Sequence, residues 1–113
     1  MADDRWVDAC SVDDVDTEDV IGVEVSGRPI AIYKSPDDEI FATDGLCTHE
    51  KVRLCDGLVI DYVIECPKHN GRFDYRNGAG KGAPICENLR TYDVRIDGDR
   101  VVVRIDTINT LEP

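Results

Sequence analysis

The sequence predicts an all-β chain, a small antiparallel sandwich or barrel with loops gathered at one end. Three observations carry this. Runs of β-branched and aromatic residues recur between turn signals. Asn77-Gly78 and Asp97-Gly98 are hairpin dipeptides. No 11-residue window has convincing helical periodicity.

In order, "VIGVEV" ends at Val25 as a first strand, with Ser26-Gly27-Arg28 as the turn and "PIAIY" as a second strand. Ser35-Pro36-Asp37-Asp38 turns the chain again into "IFAT", completing a meander. "GLVIDYVIE" reads as one strand with a bend, running straight into Cys66. "RFDY" is short. Gly71, Gly78, Gly80, Gly82 and Pro84 make the following segment a close-held loop. "LRTYDVRI" and "RVVVRI" form a last hairpin of alternating pattern. Ser11-Val12-Asp13-Asp14 is the place for a single capped helical turn.

At 113 residues, one domain spanning 1–113 is expected. The 42% hydrophobic content suits a globular fold rather than disorder. "MADDRW" lacks a basic region and an apolar stretch, so no secretory signal is read, and no window reaches membrane-span length. A cytoplasmic protein is expected, whose five cysteines are metal ligands or free thiols. A net charge of −11 disfavours nucleic acid and fits steering toward partly basic protein partners. Residues 1–43 carry three Lys or Arg against twelve Asp or Glu, whereas residues 44–90 carry seven of each. The acidity lies away from the stretches that carry chemistry.

Those stretches are Cys47-x-His49 and Cys66-x-x-His69, which use both histidines of the chain. Each sits in a loop and offers one thiolate and one imidazole. Two metal readings fit four such donors: a tetrahedral zinc, or a [2Fe–2S] cluster with two cysteines on one iron and two histidines on the other. Zinc loops usually space paired ligands by two to four residues. The single Thr48 between Cys47 and His49 is tight for that, and suits ligands going to different irons.

This pattern, C-x-H and after sixteen residues C-x-x-H, resembles the Rieske iron–sulfur family, as do "CPKHNGRFDYRNG" and "GAP". The resemblance runs from Trp6 to about Ile105, with the cluster-binding part about 44–86 and two ligand loops at one end. It implies one [2Fe–2S] cluster, with Cys47 and Cys66 on the inner iron and His49 and His69 on the outer one. Pro84 matches the family's covering proline loop. Val52 and Lys68 stand where high-potential relatives carry a disulfide, so none is expected. Cys10, Cys55 and Cys86 read as small buried thiols. Gly71 and Phe73 occupy the places of a serine and a tyrosine that donate to the cluster sulfurs in high-potential relatives. Without those donors the potential is expected near the lower end of the family range, roughly −150 mV.

An oxygenase subunit would need two further histidines and a carboxylate for its mononuclear iron. Both histidines are already used and only 44 residues follow His69. The resemblance therefore implies no enzyme but a ferredoxin. It would pass single electrons from a flavin-containing reductase to a non-heme iron oxygenase, either demethylating or ring-hydroxylating. "FATDGLCTHE" and "ECPKHNGRFDY" look most like MocE-type ferredoxins. The small subunit of a nitrite reductase and a zinc-stabilised interaction module are the alternatives. Lys51, Lys68 and Lys81 lie nearest the ligands in sequence, at the expected docking tip.

Overall fold

The computed structural model describes residues 4–48, 52–68, 71–81 and 88–106. Strand β1 (Asp4–Ser11) leads into the meander β2 (Asp19–Val25), β3 (Arg28–Lys34) and β4 (Ile40–Asp44). Then come β5 (Leu58–Ile60), β6 (Val63–Glu65), β7 (Arg72–Asp74) and β8 (Ala79–Gly80). Strands β9 (Thr91–Tyr92), β10 (Val94–Asp97) and β11 (Arg100–Asp106) follow. All pairings among the described strands are antiparallel, in three sheets ordered β1-β11-β10, β2-β3-β4-β9 and β5-β6-β7-β8. The all-β expectation holds.

The sheet β2-β3-β4 separates two cores, and the two-residue period of its strands assigns each side chain to one of them. Ile30 and Ile32 of β3 face an aliphatic core with Val25, Ala42, Val101 and Val103. Ala31 and Tyr33 face the other way, into a core with Leu54, Ile64, Phe73 and Tyr75. Strand β3 is therefore buried on both faces, which explains its unbroken apolar run "PIAIY".

Local chemistry sets the turns. Val25 pairs Arg28, so the β2–β3 loop is Ser26-Gly27 alone, at φ 53° and 78°, the positive pair a type I′ hairpin requires. The single turn after β1 is a 3-10 helix, Val12–Asp14, with a capping box: Ser11 Oγ accepts from Asp13 N, and Asp14 accepts from Ser11 N.

Four sequence expectations change. "GLVIDYVIE" is not one strand but the β5–β6 hairpin, with Ile60 opposite Val63. Asp61 takes φ 55°, a conformation aspartate tolerates, and its amide donates to Glu18 Oε2 at 2.8 Å while Tyr75 OH donates to its carbonyl at 2.7 Å. "LRTYDVRI" splits at Asp93, with β9 on β4 and β10 on β11. Ala79–Gly80 is a short strand rather than loop. Strand β1 itself was not anticipated.

Candidate metal centre

Two loops carry the cysteines, and they are built on one plan. Leu46 forms an antiparallel bridge with Arg53, and the Cys47 amide donates to Val52 O at 3.0 Å. Glu65 pairs with Arg72, and the Cys66 amide donates to Gly71 O at 2.6 Å. In both, the cysteine N–H closes onto the carbonyl five residues ahead, and the flanking residues pair. The sequence spacing places His49 and His69 inside these two closures.

The loops hang from the fold by backbone contacts. Gly45 donates to Pro29 O at 2.9 Å, and its own carbonyl accepts from Leu54 N at 2.8 Å. A Cβ on Gly45 would lie 3.0 Å from the Pro29 and Ile30 backbone, so glycine permits this approach. The 3-10 turn Leu54–Asp56 then leads to Gly57, where an added Cβ would meet Glu65 O at 2.1 Å. Glu65 precedes Cys66, so this contact ties the first loop's exit to the second loop's entry.

Both cysteines belong to the same core. Cys47 is 3% and Cys66 1% exposed, both in the core that holds Leu54, Phe73 and Tyr75. No disulfide joins the described cysteines. Two soft thiol donors, buried together and presented by matched loops, fit a group that takes two cysteine ligands. His49, His69 and Lys51 lie outside the described residues, as do Pro84 and Cys86. The ends of the proline segment are described. Lys81 N donates to Arg72 O at 2.9 Å, Gly80 N to Asn88 Oδ1 at 3.0 Å and Leu89 N to Gly78 O at 2.8 Å. Both ends are tied to β7 and β8, beside the second loop.

Gly71 and Phe73 follow directly after the second loop. Gly71 closes the Cys66 loop through its carbonyl, and Phe73 is fully buried. Of the other thiols, Cys10 is buried, and that burial pushes its pKa up. Cys55 is only half-buried, hydrogen-bonded to the Arg53 side chain and packed against Gly22. Sequence reasoning missed Val52 as a loop closer. The equal five-residue offset from each cysteine was the signal.

Aromatic packing braces the second loop. Tyr33 and Tyr75 stack with centroids 4.5 Å apart and planes 5° from parallel. Tyr33 OH bonds Thr43 Oγ1 at 2.8 Å, and burial holds its phenol well above the ordinary range. Burial pushes Tyr75 up to about 12. Arg76 binds Asp74 through both Nε and Nη2, holding that carboxyl below its usual value.

Comparison with known proteins agrees with this geometry. The chain is 43% identical over 100 residues to the ferredoxin component of the naphthalene 1,2-dioxygenase system of Pseudomonas aeruginosa, covering 88% of this chain and 95% of the relative. The solved structure of the Sphingomonas yanoikuyae B1 ferredoxin matches with TM-score 0.83 and 34% identity, over 89% of this chain and 99% of that one. A chain in a complex of reduced oxygenase and oxidised ferredoxin in carbazole 1,9a-dioxygenase matches with TM-score 0.77 and 30% identity, over 83% and 96%. Residues 5–93 match the family model described as Rieske [2Fe-2S] domain, and the chain belongs to that family.

Proposed function

We propose that Cys47, His49, Cys66 and His69 hold one Rieske-type [2Fe–2S] cluster, and that the chain is a ferredoxin delivering single electrons to an oxygenase. The observation that carries this is the pair of matched loops. Each presents a buried cysteine, closes on the carbonyl five residues ahead and spans one histidine in sequence. When bound, the cluster supplies a one-electron redox centre.

The chain's own residues do the rest. The two thiolates would hold one iron inside the aromatic core, shielded from water by Leu54, Phe73 and Tyr75. The histidines would hold the other. Gly71 and Phe73 add no side-chain donor to the sulfurs, which favours the oxidised, less negative state and a low potential. A low potential suits delivery to an oxygenase. The whole chain is read as one Rieske domain with its cluster-binding part at about 44–86, in the cytoplasm, and a flavin-containing reductase is the electron source. The relatives serve dioxygenases, which favours a ring-hydroxylating partner over a demethylating one.

Reconstitution tests this. The loaded protein, mixed with the reductase and oxygenase components of a naphthalene 1,2-dioxygenase system lacking their own ferredoxin, should restore product formation. Turnover at the same rate with and without the protein would exclude the carrier role.

A further inference from the structure

A cleft of about 400 Å³ lies beside the Cys47 loop. It is lined by Cys47 and Thr48, by Arg28 at the start of β3, by Arg90 just before β9, and by Asp44. Two arginines lining one cleft stand out in a chain of net charge −11. Elsewhere Arg76, Arg100 and Arg104 each bind an aspartate. Arg28 and Arg90 do not.

Asp44 offsets only one of the two positive charges and forms no direct ion pair with either arginine. Its carboxylate accepts Tyr92 OH at 2.5 Å, and Tyr92 OH in turn accepts from Arg28 Nη1 at 3.1 Å. That chain fixes Arg28 through one of its five donors, and the other four make no hydrogen bond among the described residues. The Arg90 side chain is exposed and makes no hydrogen bond or ion pair among the described residues. Its backbone is fixed, because Asp44 N donates to Arg90 O at 2.9 Å. The cleft thus offers an open, positive fork on a rigid base, within one loop of a cluster cysteine. A planar carboxylate is the group such a fork matches.

We infer that this cleft is a docking socket for an acidic side chain on the oxygenase, seated beside the Cys47 loop. The inference rests on the carrier reading above and adds the partner's chemistry and the place it enters. The acidic body, with three basic against twelve acidic residues over 1–43, would repel such a group, so the socket helps fix orientation as well as affinity.

Calorimetric titration of the oxidised, cluster-loaded protein into the oxygenase component of a naphthalene 1,2-dioxygenase system tests this, with cluster content matched by visible absorbance. At low ionic strength Arg90→Glu should weaken binding by about tenfold or more and Arg28→Gln by about threefold, both differences shrinking at high salt. Arg95→Glu serves as the control, because Arg95 lies over Trp6 on the β1-β11-β10 sheet. Its binding should stay within about twofold of the parent. Parent-like binding by Arg90→Glu at low salt overturns the socket, as does an equal loss in Arg95→Glu. If the parent protein itself does not bind, the carrier reading falls and the socket with it.

Discussion

The aliphatic core between β1-β11-β10 and the central sheet is made of Val15, Val25, Ile30, Ile32, Val101, Val103 and Ile105, held by strands of seven and eight residues. The core on the other side of the same sheet is made of Tyr33, Phe73, Tyr75, Leu54 and two cysteines, held by strands of two or three residues. Long paired strands that bury branched side chains are stable by themselves. Strands as short as β5–β8 are marginal without other support. Here the support comes from an aromatic stack, from turns pinned by Tyr75 and Glu18, and from close glycine contacts. The difference teaches that one half of the molecule is a scaffold and the other a holder, whose short strands are expected to gain order from what they hold.

The largest effect separates the two halves outright. Cys66→Ser should lose the visible absorbance of the cluster completely. Amide hydrogen exchange should then speed up across β5–β8 while β2, β3 and β11 stay protected. Uniform loss of protection would mean that the halves are one cooperative unit.

A second contrast uses two glycines of the same conformation. Gly78 has φ 80° and an added Cβ would lie 2.2 Å from Leu89 O, whereas Gly98 has φ 68° and open space around it. Gly98→Ala should cost about 1 kcal/mol of backbone strain alone. Gly78→Ala should cost about 3 kcal/mol or more, because Leu89 must move. Denaturant titration of the loaded protein measures both, and equal costs would remove the close approach from the account.

Alkaline pH should loosen the aromatic core. All four tyrosines are held above their ordinary value, Tyr33 and Tyr75 chiefly by burial, Tyr62 chiefly by donating to Asp37, and Tyr92 by burial and Asp44. The folded phenols keep protons that the unfolded chain releases from about pH 10. Stability therefore falls as pH rises from there through about 12, the Tyr75 value. Tyrosinate absorbance should appear together with unfolding. Full ionisation near pH 10 in the folded protein would contradict the burial argument.

The smallest effect is a tuning one. Phe73→Tyr places a hydroxyl in the core beside the ligand loops, where a new bond to sulfur would stabilise the reduced state. Only the part of that bond that differs between redox states counts, so a positive shift of tens of millivolts is expected by protein-film voltammetry. An unchanged or lower potential would assign the tuning to exposure or charge.

Much of this comparison was legible beforehand because it rests on local patterns. The meander, the Ser11 cap and the two Cys/His stretches are short-range signals. The split of "LRTYDVRI" was not, since Asp93 looks like any exposed position until Tyr92 pairs Ala42 in one sheet and Val94 pairs Val103 in another. Strand β1 was hidden for a similar reason. Its pairs, such as Val7 with Val103, are nearly the whole chain apart, and the charges of Asp4, Arg5 and Asp8 mask its alternation. The cleft lined by Arg28 and Arg90 joins residues from two distant parts of the chain, which no spacing rule connects.

The central claim is that two cysteines and two histidines hold a [2Fe–2S] cluster. Metal and sulfide analysis of the purified protein, with EPR after dithionite reduction, tests it most directly. The account predicts iron and acid-labile sulfide of about two each per chain, and a rhombic signal with average g below the free-electron value, as nitrogen ligation requires. Stoichiometric zinc without sulfide would contradict it.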